Sequence, residues 1–410
     1  MLLLPTAPFN GPHPFLSKSC PLASSGQYYR QTFLTSSGAL TDPSLVLFRF
    51  YRYLWYLIRI AASLAYRPVP LPENPTYVAE EDVTIIVPTI DAGEEFKEAA
   101  RSWLAGKPKE VIIVTEEKML GPLQELANSV DPQRIRVITV PYANKRLQMV
   151  KGIKEVTTDI IVFADDDAIW PPTLLPYVLA CFEDQKVGGV GTSQRVQPVG
   201  SKFTVWEVLA AFRLTIRNIE IAASTHIDGG VCCLSGRTAA YRTVILKDPE
   251  FIHGFTHDYW LDRYHLNSGD DKFLTRWMVS HGWSTYIQCC KEAELLSTMK
   301  PNWRFLKQVL RWTRNTWRSD MRSLFTERYI WTAHPYVAFT MVSQVVINFR
   351  LRVSQCLFFR LTNYSIPSRF LPDHASLPSS CQKVRSLSSK AATICPGGTS
   401  LRRSVIPRRY

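Results

Sequence analysis

Three consecutive carboxylates, Asp165, Asp166 and Asp167, follow directly after the apolar run at residues 160–164. In an open parallel sheet, ligands bind outside the carboxyl ends of the strands, so a strand that ends in acids points to a binding site. Adjacent carboxylates repel one another and keep their charge most easily around a cation. Mg²⁺ or Mn²⁺, shared with a substrate phosphate, is the natural candidate. An Asp-rich turn or a helix cap is the structural alternative.

Two further segments could carry chemistry. Asp270 and Asp271 lie in Ser-Gly-Asp-Asp-Lys, which predicts a turn opening onto a helix. A carboxylate there could take a proton from a hydroxyl nucleophile, and capping the helix is the alternative. The second segment, Gln308-Val-Leu-Arg311-Trp312, offers a permanent cation for phosphate and a flat apolar face for a sugar ring. Its alternative is an interfacial helix with ordinary Arg and Trp anchors.

Short β-branched runs alternate with helical segments from residue 83 onwards. We predict strands at 83–87, 111–114, 135–140 and 160–164, and helices at 94–104, 118–129 and 144–156. This alternation predicts an α/β fold with a doubly wound, mostly parallel sheet. Further strands are expected near 189–196 and 231–234, with a helix at 203–223 between them.

The net charge of +13 is unevenly distributed. Residues 350–410 carry 11 Lys and Arg against one acid, so residues 1–349 have a net charge of only +3. This distribution argues against nucleic-acid binding. The nine cysteines include two adjacent pairs and show no zinc-binding spacing. They therefore favour reduced thiols that face the cytosol.

Composition divides the chain into six segments. Residues 1–43 predict a disordered leader, and residues 80–300 the catalytic domain. Residues 44–67 predict a membrane-associated helix, transmembrane or interfacial, because Arg49, Arg52 and Arg59 interrupt its apolar run. Residues 301–326 predict an amphipathic interface helix, and 329–349 a candidate transmembrane helix. Residues 361–410 have the composition of a basic disordered tail.

Four signals occur in a fixed order: the strand Thr84–Thr89, the Asp165–Asp167 run, Gly269-Asp270-Asp271 and Gln308–Trp312. This order resembles the processive members of glycosyltransferase family 2, such as hyaluronan, chitin and cellulose synthases. It is most similar to the type 2 glycosyltransferases of filamentous fungi. The resemblance covers about residues 80–350 and implies a nucleotide-diphospho-sugar transferase fold, GT-A-like, flanked by membrane-associated helices.

The resemblance also implies roles on the donor side. Asp167 and Asp165 would hold Mg²⁺ or Mn²⁺ on the diphosphate of a UDP-sugar, with Asp165 also contacting the nucleotide. Lys145 stands near the nucleotide, and Glu116 stands where the family has an Asp beside the uracil. A solvated helix-terminal charge is the alternative for Lys145. The remaining donor-side residues are Pro88 and Thr89 at the end of the first strand and Arg311 on the diphosphate.

On the acceptor side, the resemblance assigns Asp271 as the catalytic base, with Asp270 beside it. Gln308, Trp312, Ser235 and Gly236 would contact the acceptor. Cys233 precedes the last two in a Cys-x-Ser-Gly stretch similar to that of hyaluronan synthases, and its expected role is packing. Arg237 replaces the proline that is common there, which weakens any transfer of hyaluronan specificity.

These observations predict a membrane-bound, inverting glycosyltransferase that transfers sugar from a UDP-sugar to a growing polysaccharide. Its catalytic domain would face the cytosol at the plasma membrane or an endomembrane, with membrane lipid as a further partner. The alternatives are a non-processive lipid glycosyltransferase of the ceramide type and a truncated, inactive UDP-binding membrane protein. Members of the family that the chain resembles continue past the element at Gln308–Trp312, known as QxxRW, with several transmembrane helices. A basic tail follows one candidate span here, so we expect poor polymer export.

Overall fold

The computed structural model describes residues 43–91, 93 and 95–344. Its strands, in chain order, are β1 (Val83–Pro88), β2 (Glu110–Glu116), β3 (Ile135–Val140), β4 (Ile160–Ala164), β5 (Ala168–Ile169), β6 (Val187–Thr192), β7 (Gln194–Gln197), β8 (Thr238–Arg242), β9 (Tyr259–Trp260), β10 (Tyr264–His265), β11 (Ser284–Gln288) and β12 (Leu295–Thr298).

The helices, in chain order, are α1 (Pro43–Ala65), α2 (Ala79–Asp82), α3 (Glu95–Ala105), α4 (Leu120–Val130), α5 (Lys145–Glu155), α6 (Leu174–Ala180), α7 (Val205–Asp228), α8 (Thr243–Leu246), α9 (Pro249–Thr256), α10 (Asp270–Ser280), α11 (Arg304–Met321) and α12 (Ile330–Ala333). A π-helical turn, Arg322–Glu327, follows α11. The helices predicted at 94–104, 144–156 and 203–223 correspond to α3, α5 and α7.

Seven strands form the central sheet in the order β11-β6-β8-β4-β1-β2-β3. Strands β3, β2, β1 and β4 run parallel, and β11 runs parallel to β6. Strand β8 lies between β4 and β6 and is antiparallel to both. The prediction of a mostly parallel α/β sheet is confirmed. A smaller sheet places β12 between β5 and β7 beside the end of β4.

The strand expected at 231–234 is wrong. These residues form a loop, and the strand begins later, at Thr238. The amide of Leu234 donates to the hydroxyl of Thr275 on α10 rather than to a neighbouring strand. The expected strand at 189–196 is divided at Ser193 into β6 and β7, which belong to different sheets. Apolar composition therefore did not specify strand pairing in this part of the chain.

Apolar side chains fill both faces of the central sheet. Because successive residues of a strand point to opposite faces, Ile85 of β1 packs with Phe96 and Trp103 of α3. Its neighbour Ile86 packs on the other face with Met149 of α5. Each large side chain buried in this way contributes roughly 1.5–3 kcal/mol. Helices on both faces leave the carboxyl ends of the parallel strands available for a site.

Helix α7 packs against α1 and contacts α11. Arg59 of α1 pairs with Glu220 of α7 at 2.7 Å, which explains one of the arginines in the apolar run. Leu214 of α7 packs in a common cluster with Phe305 of α11. The helix predicted at 44–67 is therefore present as α1 and packs directly on the catalytic domain.

Within residues 43–91, 93 and 95–344, we find no helix whose length and apolar character would suffice to cross a bilayer. The candidate span at 329–349 is not one continuous helix. Helix α12 ends at Ala333, His334 breaks the helix, and helical structure resumes over residues 335–344. Pro335 explains the break, because the residue before a proline is disfavoured from the α conformation. Residues 345–349, the predicted leader up to residue 42 and the predicted tail at 361–410 lie outside the described residues.

Candidate functional site

The ends of β1 and β4 place Thr89 beside the three consecutive acids. The Thr89 hydroxyl donates to Oδ2 of Asp166 at 2.5 Å. Gln148 of α5, which is buried, donates from Nε2 to the carbonyls of Thr89 at 2.8 Å and Val114 at 2.7 Å. Gln148 therefore ties the ends of β1 and β2 together and fixes the loop that leads away from Thr89.

Lys145 bridges the two groups of carboxylates that the sequence singled out. Its Nζ lies 2.8 Å from Oδ1 of Asp165 and 3.3 Å from Oδ2 of Asp270. Burial alone would lower the pKa of Lys145, but the charges of Asp165 and Asp270 outweigh it and raise the pKa above its usual value. Asn144 caps α5 by accepting from the amide of Leu147, which fixes the start of this helix. Lys145 is therefore held as a cation between the two acids.

Asp166 and Asp167, the other two acids of the run, ionise less readily than a solvent-exposed aspartate. Burial raises the pKa of Asp166 to about 6, and the neighbouring Asp167 and Asp165 add to this rise. Burial and repulsion from Asp165 also raise the pKa of Asp167, although Arg237 partly opposes them. Oδ2 of Asp167 accepts from the Thr298 hydroxyl at 3.3 Å. The turn after β4 therefore holds more negative charge than its own contacts neutralise.

Asp270 and Asp271 begin α10, directly after Gly269, whose positive φ of 81° suits glycine. Burial alone would raise the pKa of Asp270, but Lys145 outweighs it and the pKa lies below its usual value. Oδ1 of Asp271 accepts from the amide of Lys272 at 2.8 Å. Its Oδ2 accepts from the thiol of Cys233 at 3.2 Å.

Asp165, Asp270 and Asp271 line one cleft at the carboxyl ends of β1 and β4. Seven of the predicted site residues lie on its wall: Pro88, Lys145, Asp165, Ser235, Gly236, Asp270 and Asp271. A Cβ on Gly236 would lie 3.6 Å from the Cβ of Asp271, so this glycine allows close approach to the acids. The cleft therefore joins predicted donor-side and acceptor-side residues.

A hydrogen-bonded chain connects this cleft to Trp312. Ser235, whose φ of 101° is strained for a residue other than glycine, accepts from Nε2 of Gln194 at 2.5 Å. Oε1 of Gln194 accepts from Nη1 of Arg237 at 3.0 Å. The Arg237 guanidinium lies over the Trp312 ring at 5.3 Å from its centroid. Gln194 and Arg237 thus link Trp312 to Ser235 at the cleft wall.

The other predicted residues lie outside the cleft wall. Glu116 ends β2 and pairs with Lys118 at 2.7 Å. Arg311 of α11 is exposed, and its charge acts on Arg237. Gln308, one turn earlier, has a buried Oε1 without a hydrogen-bond partner among the described residues.

Residues 80–315 match the family described as "Glycosyltransferase like family 2". The chain belongs to glycosyltransferase family 2. Fungal relatives of the same family resemble it over most of its length. The chain is 44% identical to a type 2 glycosyltransferase of Zymoseptoria tritici over 324 residues, which are 78% of this chain and 68% of that protein. It is 46% identical to one of Gibberella zeae over 286 residues, 69% of this chain and 54% of that protein.

The fold is similar to that of a solved structure. This is a mannosyltransferase of Pyrobaculum calidifontis in complex with GDP-Man and Mn²⁺, with a TM-score of 0.52 and 16% identity. The similarity covers 85% of this chain and 90% of that protein. At this identity the match shows a GT-A-like fold alone. Its family membership identifies the chain as a glycosyltransferase.

The acids of this glycosyltransferase fit a divalent metal in one particular way. Among residues 43–91, 93 and 95–344, no three or more His, Cys, Asp or Glu side chains are grouped so that they could hold a metal ion. Mg²⁺, however, is often bound by one or two carboxylates together with substrate phosphates. Asp165 is engaged by Lys145, whereas Asp167 has the weak hydrogen bond from Thr298 and the more distant charge of Arg237. These carboxylates therefore fit a divalent ion whose other ligands would come from the diphosphate.

Sequence reasoning missed three features of this site. Gln148 and Gln194 have no motif around them, and their contacts involve residues 34 or more positions away. The third is Asp258, a buried carboxylate paired with Arg146 at 3.0 Å, Arg276 at 3.9 Å and also Arg322. The position of Arg146 beside Lys145 was the one available signal for this network.

Proposed function

We propose that this family 2 glycosyltransferase is membrane-associated and inverting, and that it transfers sugar from a UDP-sugar to a growing polysaccharide. The contact of Lys145 with both Asp165 and Asp270 carries this proposal, because it brings the donor-side and acceptor-side acids into one cleft. The chain spans 54% to 68% of the length of the fungal relatives named above.

Asp271 is the proposed base. An acceptor hydroxyl in the cleft would give its proton to a carboxylate oxygen of Asp271 as the hydroxyl oxygen attacks the anomeric carbon. The bond from that carbon to the diphosphate oxygen breaks in the same displacement, which inverts the anomeric configuration. Lys145 and Arg311 offer positive charge to the departing diphosphate, and Lys145 also keeps Asp270 ionised.

Asp167, with Asp165, would hold Mg²⁺ or Mn²⁺ against the diphosphate. Such an ion acts as a Lewis acid that stabilises charge on the leaving group. UDP is proposed as the nucleotide from the resemblance of the four ordered motifs. Glu116 and Thr89 lie at the ends of β2 and β1, where a nucleobase would be contacted. Because the structural neighbour was solved with GDP-Man, guanosine donors belong in any test.

A membrane surface is proposed on helices α1, α7 and α11. Each of them exposes large apolar side chains, and those of α7 recur every three or four residues along one face. Broad exposed apolar surface of this kind marks membrane or protein contact. The residues concerned are Phe50, Tyr53, Leu57, Leu64, Val205, Leu209, Phe212, Ile216, Leu306, Leu310 and Trp317. The proposed surface would place the enzyme on the cytosolic side of the plasma membrane or an endomembrane.

The same surface favours one alternative function. Trp312 belongs to the apolar cluster between α7 and α11, beside the proposed membrane surface. A lipid-linked acceptor could therefore approach Trp312 from the bilayer, as in a non-processive lipid glycosyltransferase. The length of the product distinguishes the two functions, because one sugar on a lipid and a long polymer separate readily by size.

The test is nucleotide release by purified protein or by membranes that contain it, across UDP-sugars and GDP-mannose, with product length measured. Release with a UDP-sugar and a long polymer supports the proposal, and a single-sugar glycolipid supports the alternative. Absence of release with every donor, together with intact UDP binding, would support the inactive protein.

The membrane surface has its own test. The double variant Phe212→Glu with Leu310→Glu should reduce flotation with phosphatidylcholine–phosphatidylserine vesicles. Val244→Glu, at an exposed apolar residue of α8, is the control.

A further inference from the structure

Two arginines lie against the Trp312 ring. The guanidinium carbon of Arg237 is 5.3 Å from the ring centroid, and that of Arg213 is 5.6 Å from it. Arginine over an indole face is a favourable cation–π arrangement, and it holds the guanidinium in a defined orientation. Arg237 is also buried, so its charge acts in a poorly solvated environment. The side chain predicted to stack on the acceptor therefore lies within a cationic environment.

A third arginine in this region lacks hydrogen-bond partners. Both Nη1 and Nη2 of Arg217 on α7 are shielded from solvent and have no hydrogen-bond partner among the described residues. The charges of Arg217 and Arg311 both act on Arg237. Burying guanidinium N–H groups without acceptors is costly, so a ligand that supplied acceptors would be bound favourably here. The buried Oε1 of Gln308, also without a partner, adds a site for a hydroxyl donor.

The nearby acids compensate these arginines only in part. Glu220 pairs with Arg59 and also interacts with the charges of Arg213 and Arg217, so one carboxylate is shared among three arginines. Asp165 pairs with Lys145, and Asp167, which attracts Arg237, would face the metal and the diphosphate. Outside the described residues, the sequence offers only three acidic side chains, Asp42, Glu94 and Asp373. An excess of positive charge therefore remains around Trp312 when the donor is bound.

We propose that the acceptor carries an anionic group, a carboxylate or a phosphate, which Arg217 and Arg237 bind while its sugar or lipid part packs on Trp312. Guanidinium groups match both anions with paired N–H donors. The inference rests on the proposed function, because it assigns Trp312 to the acceptor. The donor diphosphate is the other anion that these arginines could serve, and the experiment separates the two.

The experiment compares acceptors that differ only in charge. Octyl β-glucuronide is tested against octyl β-glucoside, and farnesyl phosphate against farnesol, with the donor that supports nucleotide release. We expect kcat/KM to be roughly tenfold to hundredfold higher for at least one anionic probe than for its neutral partner. The first pair detects a uronate-like acceptor and the second a lipid phosphate. Equal or better use of both neutral probes would overturn the inference.

Variants assign the preference to the arginines. Arg217→Met and Arg237→Gln should each abolish the preference for the anionic probe, and Arg217→Met should leave the Kd of UDP unchanged. Arg195→Gln, at an exposed arginine of β7, is the matched control and should retain the preference. If Arg217→Met weakens UDP binding instead, Arg217 serves the donor and the inference fails.

Stability and binding complete the test. Because Nη1 and Nη2 of Arg217 have no hydrogen-bond partner among the described residues, Arg217→Met should raise the temperature of thermal unfolding, and a lower temperature would mark Arg217 as a structural group. If no probe receives sugar, calorimetry on the UDP-saturated protein decides. Binding of an anionic probe but not of its neutral partner supports the inference, and no binding of either anionic probe at millimolar concentration overturns it. Absence of nucleotide release alone counts against the proposed function rather than against this site.

Discussion

The thiol of Cys233 donates to Oδ2 of Asp271, and the two atoms lie 3.2 Å apart. Burial raises the pKa of Cys233 well above its usual value, so this thiol stays protonated at physiological pH and acts as a neutral donor. Sequence reasoning assigned Cys233 to packing alone. The contact makes it a positioning residue for the proposed base, because it fixes one carboxylate oxygen while the amide of Lys272 fixes the other.

Cys233→Ala should lower kcat without changing the Kd of UDP. The alanine leaves Oδ2 of Asp271 without this donor, so the carboxylate is held less precisely for the acceptor hydroxyl. Because one hydrogen bond is worth about 1 kcal/mol, we expect kcat to fall by about fivefold. Cys233→Ser, which keeps a donor, should retain the wild-type kcat. Cys290→Ala is the control, and an unchanged kcat in Cys233→Ala would leave the thiol with packing alone.

Asp271→Asn tests the base directly. The amide keeps the size of the side chain but cannot accept the proton of the acceptor hydroxyl, so kcat should fall by about 10²–10⁴. The Kd of UDP, measured by calorimetry, should change little because Asp271 faces the acceptor side of the cleft. An equal loss of UDP binding and of transfer would identify Asp271 as a nucleotide-binding or structural residue.

Lys145→Met tests the bridge between the two groups of acids. Without the ammonium, Asp165 and Asp270 face each other across the cleft with no shared counter-charge. We expect weaker UDP binding and a fall in kcat/KM of at least tenfold, because both the donor site and the approach to Asp271 lose charge compensation. Lys151→Met removes a lysine of the same helix that pairs with Glu155 at the surface, and it should behave as wild type. Matching losses in the two variants would point to a general effect on α5.

The parts of the fold that sequence reasoning predicted correctly share one property. Strands β1 to β4 are short apolar runs between turn residues, and their burial is nearly uniform in β1, β2 and β4. Such runs are specified locally, so the alternation with helices was enough to predict the parallel sheet. Residues 231–234 had the same composition but met the Thr275 hydroxyl instead of a strand. Local composition could not predict this outcome, because Thr275 lies 41 positions from Leu234.

Contacts across the site were beyond local reasoning for a similar reason. Lys145 and Asp270 are 125 positions apart, and only the order of strands in the sheet brings them together. The motifs predicted which residues carry chemistry, since carboxylates after a strand and a Gly-Asp-Asp turn are rare combinations. They gave no information on Arg217, whose significance lies in partners that the described chain does not supply.

Asp258→Asn should strongly destabilise the protein. Its buried carboxylate is the shared partner of Arg146, Arg276 and Arg322, so the amide would leave three guanidinium groups without their common counter-charge. Loss of one partner from a buried ion pair costs about 3–5 kcal/mol. The free energy of unfolding, measured with urea, should fall by that amount. Glu155→Gln, which removes exposed ion pairs with Arg136 and Lys151, should change it by less than about 1 kcal/mol. Equal changes in the two variants would contradict a structural role for this network.

Asp167→Asn tests the proposed metal site. Asp167 is the acid of the run with the weakest contact of its own, and burial and repulsion from Asp165 raise its pKa, so a cation at this position would relieve unfavourable charge. Removing that carboxylate should abolish the dependence of UDP affinity on Mg²⁺ or Mn²⁺ and reduce transfer by at least a hundredfold, since the leaving diphosphate loses its counter-ion. Chelation of the wild-type protein with EDTA should give the same loss, and added Mn²⁺ should restore it in the wild type alone. Asp184→Asn, in the loop before β6, is the control. Transfer that survives both chelation and Asp167→Asn would show that Lys145 and Arg311 stabilise the leaving diphosphate without a metal.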